Sequence, residues 1–173
     1  MTEKFLKCVE ITLKWEGAYV NHSLDPGGET KYGISKRSYP NVDIKNLTLE
    51  DAKNIYYMDY WLPSKAEAYN DALALAHFDF SVNSGLGRSA QMLANTQDYV
   101  EYNIKRLTWL TKLNTFKTFG TGWTRRVLHV LSTGHTWQAA RPWSLNVDNS
   151  TSGTDILLRV DPESKKAFLR RAE

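Results

Sequence analysis

The sequence predicts a mainly α-helical protein of the α+β kind, a helical body with one small hairpin or loop directly after its first helix. Three observations lead there. Apolar residues recur at helical spacing through most segments up to residue 134. Gly27 and Gly28 join Asp25 and Pro26 in a single early turn cluster. A chain of 173 residues with 42% hydrophobic content matches one domain with a proper core.

Phe5, Leu6, Val9 and Leu13 make an amphipathic first helix over residues 3–16, stopped by Gly17. Tyr19–Asn21 and Lys31–Ile34 flank Asp25-Pro26-Gly27-Gly28, where proline fixes one φ and the glycines permit positive φ, giving a short hairpin or an open loop. Thr48-Leu49-Glu50-Asp51 reads as a capping box opening a helix to about Tyr60, with Pro63 beyond as a stop. A long apolar helix spans 65–84 and ends at Gly85. Further helices are expected over about 88–95, from Asp98 to about Leu113, and between Gly122 and Gly134. Residues 135–160 lose the period before Ile156-Leu157-Leu158, a short strand, and Asp161-Pro162-Glu163 starts a last helix with an N-cap and proline at N1. We therefore divide the chain into a body, 1–135, whose second half begins near residue 70, and a C-terminal extension, 136–173, of unassigned role.

No apolar run approaches the roughly 18 residues of a membrane span, and Met1-Thr2-Glu3-Lys4-Phe5-Leu6-Lys7 lacks a signal-peptide core. The expectation is synthesis in the cytoplasm without an export signal of the chain's own. The single cysteine, Cys8, allows no internal disulfide and sits in a helical apolar pattern as a packed residue. Charge is segmented: residues 102–147 hold seven lysines and arginines and no acid, interleaved with Trp109, Trp123, Trp137 and Trp143. That composition suits an anionic polymer, and equally a solvated helix face over core aromatics. His22, His77, His129 and His135 show no metal-ligand spacing, so no metal is expected. Gly85-Leu86-Gly87-Arg88-Ser89-Ala90 follows a helix rather than a strand and is no dinucleotide fingerprint, so no organic cofactor is expected.

One acid stands out. Glu16 at a predicted helix C-terminus lies beside unsatisfied carbonyls, with Trp15 and Tyr19 placed to strip its water. Both effects disfavour the anion and favour a proton donor, the need of a glycosidase acid. Asp25 and Thr30 follow 9 and 14 positions later; a loop returning on itself brings them beside Glu16, the carboxylate to steady a cationic transition state and the hydroxyl to orient water. Taken alone, a glutamate at a helix end is ordinarily a surface residue, and Asp-Pro-Gly-Gly an ordinary turn.

Further matching blocks change that balance. Trp15-Glu16-Gly17-Ala18-Tyr19-Val20-Asn21 and Asp25-Pro26-Gly27-Gly28-Glu29-Thr30-Lys31-Tyr32-Gly33-Ile34-Ser35 closely resemble the N-acetylmuramidases of glycoside hydrolase family 108, found in phage endolysins and in bacterial proteins once described as secretion activators. Asp59-Tyr60-Trp61, Phe78-Asp79-Phe80-Ser81-Val82-Asn83-Ser84-Gly85 and Gly122-Trp123-Thr124-Arg125-Arg126-Val127 resemble that family's predicted peptidoglycan-domain half. Ala18 replaces a usual second glycine, and His22-Ser23-Leu24 replaces the common Asp-Pro-x.

The resemblance implies a lysozyme-like fold and cleavage of the β-1,4 bond between N-acetylmuramic acid and N-acetylglucosamine, with Glu16 as general acid beside Asp25 and Thr30. Tyr19, Asn21, Gly27, Gly28, Trp61 and Asn83 are candidate sugar contacts. Core or capping roles serve equally well for Asn21, Trp61 and Asn83. Glu29, next to Lys31, is expected to be solvated. The expected partners are bacterial peptidoglycan and other anionic wall polymers, without nucleic acid, in a virion-associated or holin-dependent setting at the cell wall or periplasm. The competing readings are a lytic transglycosylase and a non-catalytic wall-binding or virion structural protein.

Overall fold

A computed structural model of the chain describes residues 1–17, 19, 28–94 and 96–139, together with the backbone of 156–160 and 167–171. The chain divides into two compact units, Met1–Arg141 and Pro142–Glu173. The first is mainly helical. Its elements are α1 (Glu3–Leu13), a hairpin of β1 (Thr30–Lys31) and β2 (Ile34–Ser35), α2 (Leu49–Tyr56) running through a π-helical turn into α3 (Leu62–Ser64), then α4 (Asp71–Ser84), α5 (Leu86–Leu93), α6 (Tyr99–Leu110) and α7 (Phe116–Ala139).

Helix α4 is the core. Every residue from Ala72 to Ser81 is buried, as an all-round apolar helix must be, and α1, α5, α6 and α7 pack about it. Asn70 caps its start by accepting from the Leu73 N–H, so the helix begins at Asp71 rather than near 65; before it, Lys65 takes a left-handed φ of 55° that breaks the chain into a separate 3₁₀ turn, Ala66–Ala68. Phe5, Tyr57, Trp61 and Phe78 form an edge-to-face aromatic cluster, Phe5 lying 4.9–5.8 Å from the other three centroids. Full burial of each such ring contributes about 1.5–3 kcal/mol. Cys8 is packed here, and burial pushes its thiol far above the ordinary range.

The capping box holds as expected, Thr48 accepting from the Asp51 N–H while Asp51 accepts from the Thr48 N–H. Pro63 does not stop the helix. It lies inside α3, and because it has no N–H for Asp59 the preceding turn, Tyr57–Trp61, widens to π geometry, the Leu62 N–H reaching Tyr57 O. Helix α7 runs well past both ends of its predicted span, and Gly120, Gly122 and Gly134 are interior to it. Gly134 is there for approach: a Cβ would sit 3.1 Å from the Ala72 Cβ, so α7 and α4 meet closely at that level. Helix α1 ends earlier than expected, at Leu13 with Lys14 as C-cap, leaving Glu16 in the turn beyond. No helix among the described residues is long and apolar enough to cross a membrane.

In the second unit, β3 (Ile156–Val160) pairs antiparallel with β4 (Ala167–Arg171), Leu158 opposite Leu169. Residues 167–171, expected to continue the last helix, form β4 instead, while the expected start at Asp161-Pro162-Glu163 lies outside the described residues.

Candidate active site

The site begins in the turn after α1, where the Trp15 N–H reaches Thr12 O and the Glu16 N–H reaches Leu13 O. Opposite stands the tip of the β1–β2 hairpin. Thr30 pairs with Ser35 and Lys31 with Ile34, leaving Tyr32 and Gly33 as a two-residue turn with φ of 52° and 76°. Both positive φ values are what a type I′ turn demands. The hairpin therefore turns at Tyr32-Gly33, inside the segment expected to flank the turn. A left-handed tyrosine costs about 1–3 kcal/mol; the Tyr56 hydroxyl helps hold it by donating to Tyr32 O at 2.8 Å.

Gly33 presses against Glu16. A Cβ there would lie 2.7 Å from Glu16 Oε2 and 2.5 Å from the Tyr56 hydroxyl, so only glycine lets the turn touch the carboxylate. The other oxygen, Oε1, accepts from Arg126 Nη1 at 2.8 Å. Burial first, and then the Glu16 charge, push the Tyr56 phenol far above its usual range, so Tyr56 stays a donor. The Glu16 side chain keeps 19% exposure and opens into a cleft of about 340 Å³ lined by Leu13, Lys14, Tyr32, Leu49 and Lys53, with Glu10 at its rim.

Behind Arg126 lies a buried charge cluster. Asp79, fully enclosed in α4, accepts from Arg126 Nε at 3.0 and 3.1 Å and from Nη2 at 2.9 Å. Arg106 of α6, also fully enclosed, brings Nη2 to 2.7 Å of Asp79 Oδ2 as an ion pair and lies 4.8 Å over the Phe80 ring. Burial works against the Asp79 anion, but the two guanidiniums outweigh it and hold the carboxyl below its usual range. Burial works against Arg126 as well, yet Asp79 and Glu16 raise it net; for Arg106 burial prevails and lowers it.

Several expected placements change. Of the two rings expected beside Glu16, the Trp15 indole donates to His129 Nδ1 at 2.9 Å and the Tyr19 hydroxyl donates to Glu29 Oε1 at 2.6 Å. Glu29 is therefore tied to Tyr19 rather than freely solvated. Trp61 is no sugar platform, being 1% exposed in the aromatic cluster with its indole donating to Glu67. The Thr30 hydroxyl donates to Gly28 O at 3.4 Å, and Gly28 adopts φ 68°. Asn83 is half-buried near the end of α4 and accepts from the Ser84 hydroxyl. His77 is a core residue bonded to Tyr102 and Ser64 O. Asn21, His22, Asp25 and Gly27 lie outside the described residues.

Sequence reasoning missed Arg126, Asp79, Arg106, Tyr56 and Gly33 as parts of this arrangement. Asp79 carried a signal of its own, as the one acid in a run from Ala72 to Phe80 that is apolar apart from it and His77.

Residues 9–85 match the model of the family described as Glycosyl hydrolase 108. No curated protein matches the chain. Among solved structures, the chain is similar to SagA of Brucella abortus at 30% identity and a TM-score of 0.67, over 82% of this chain and 98% of that one.

Proposed function

The chain belongs to the glycosyl hydrolase 108 family and is thereby a glycoside hydrolase of the peptidoglycan-cleaving, lysozyme type, and we propose that it is an N-acetylmuramidase with Glu16 as its general acid. The observation that carries this reading is the seating of Glu16, with one carboxylate oxygen on Arg126 Nη1, the other against Gly33, and the group open to the cleft. A carboxyl seated at the edge of a groove supports this reading, in which it protonates the oxygen leaving C1 of N-acetylmuramic acid. Water then takes C1, and Asp25 and Thr30 are the groups we assign to it. Mass spectrometry of digested peptidoglycan tests the reaction. Reducing muramic acid ends are expected; 1,6-anhydro ends would replace hydrolysis by transglycosylation, and intact glycan would leave a wall-binding protein.

Two further expectations follow from the geometry. Gly33→Ala forces a Cβ onto both the Tyr56 hydroxyl and Glu16 in a left-handed turn. Displacing the acid by an ångström costs on the order of 10²-fold in rate, whereas the backbone strain costs only about 1–2 kcal/mol of stability. Wall clearing measured beside a thermal melt separates the two.

Binding to whole walls is expected to weaken roughly tenfold from low to high salt as the cationic segment is screened. Of its cations, Arg106 and Arg126 are withdrawn into the interior, whereas Lys112, Lys117 and Arg125 are exposed. Replacing these three with glutamine should flatten the salt response in a wall pull-down and spare cleavage of short muropeptides. An unchanged response would make the segment a solvated face.

A further inference from the structure

Asp79 has no exposure and cannot touch a polymer bound in the Glu16 cleft. It is nevertheless one residue removed from the acid. Arg126 meets it side-on through Nε and Nη2, leaving Nη1 to reach Glu16 Oε1. A guanidinium gripped on two nitrogens by one carboxylate cannot swing about its own axis, so the plane of Arg126, and with it the position of the Glu16 carboxyl, is fixed from behind.

Charge points the same way. A guanidinium against a carboxyl favours the ionised form, the wrong form for a group that must hand over a proton. Asp79 sits on the far side of that guanidinium and cancels part of its field, while Arg106 on the other flank of Asp79 keeps Asp79 ionised. Among the described residues, the groups facing Glu16 and its pair are Arg126 from α7, Asp79 from α4, Arg106 from α6, Tyr56 and Lys53 from α2, Tyr32 from the hairpin, and Glu10 and Lys14 from α1 and its cap.

We infer that Asp79 is a positioning residue for the glycosidase reaction: acting through Arg126, it fixes the donor that seats Glu16 and offsets that donor's charge. This rests on Glu16 being the general acid. Asp79 itself touches no substrate.

The test is the pH–rate profile of wall cleavage, corrected for folded fraction at low temperature, for wild type, Asp79→Asn and Arg106→Gln. Asp79→Asn leaves Glu16 as the one carboxylate against the two cations, and the alkaline limb of the profile moves to lower pH. Arg106→Gln removes a cation and moves that limb the other way. Profiles that superimpose on wild type, with activity following only the folded fraction, overturn the proposal.

Arg126→Lys guards against variants that do not fold. It keeps the charge but an ammonium cannot grip Asp79 on two nitrogens while also seating Glu16, so kcat falls at least tenfold with KM little changed. A wild-type kcat in Arg126→Lys overturns the proposal as well. Glu16→Gln, run in parallel, separates the two layers. If it stays active, the general-acid reading fails and this inference with it; if it is inactive while the Asp79→Asn profile is unmoved, this inference alone fails.

Discussion

Glu16→Gln yields a folded protein that cleaves peptidoglycan at least ~10²–10⁴-fold more slowly than wild type. Glutamine has the same shape, and its amide oxygen still accepts from Arg126 Nη1, but it has no proton to give the leaving oxygen. At a helix C-terminus this change would leave stability equal or higher, by relieving an unfavourable contact between a carboxylate and the helix dipole. The structure reverses the sign. Helix α1 ends at Leu13, and Glu16 neutralises a largely buried arginine, so the variant is expected to lose about 0.5–2 kcal/mol, the difference between a charged and a neutral hydrogen bond. Denaturant melts read that loss; a rate that fell only as far as the folded fraction would mean a structural ion pair.

Asp79→Asn carries the largest expected stability effect. Two guanidiniums converge on this carboxylate in the interior, and removing its charge leaves Arg106 without its carboxylate and Arg126 with Glu16 alone, at about 3–5 kcal/mol. For a chain of this size the melting temperature falls by roughly 10 °C or more. The pH dependence has a definite sign. Burial opposes the Asp79 anion but the arginines prevail, so its carboxyl lies lower in the folded than in the unfolded state. Its contribution is then fully present above the ordinary carboxylate value of about 4 and is lost as pH falls through the lower folded value. Wild type should therefore lose stability on acidification below about pH 4 more steeply than Asp79→Asn, measured by denaturation midpoints.

Local chemistry made much of the fold legible. The Thr48–Asp51 capping box, the Asp98 cap of α6 and the apolar run of α4 all form the elements their residue types favour. Failures came where tertiary packing overrides a local signal. Gly122 and Gly134 read as helix ends but lie within α7, the latter because α4 passes so close. Trp61 reads equally well as a sugar contact or a core ring, and the π turn before Pro63 places it in the core. Glu16, the acid we propose, stands out in the Trp15–Ser35 block; the side chains that surround it in the structure do not stand out in the sequence. Arg126 lies 110 positions from Glu16 and 47 from Asp79, and no spacing rule spans such separations.

The central claim is that Glu16 protonates the departing sugar oxygen, and leaving-group dependence tests it most directly. A dinitrophenyl glycoside of the same disaccharide expels an anion stable enough to leave without a proton. Wild type and Glu16→Gln are compared on this substrate and on peptidoglycan. The expected result is a deficit of at least ~10²-fold on peptidoglycan that shrinks to within about tenfold on the activated glycoside. An equal deficit on both substrates, or no deficit on peptidoglycan, would contradict the assignment of Glu16 as the proton donor.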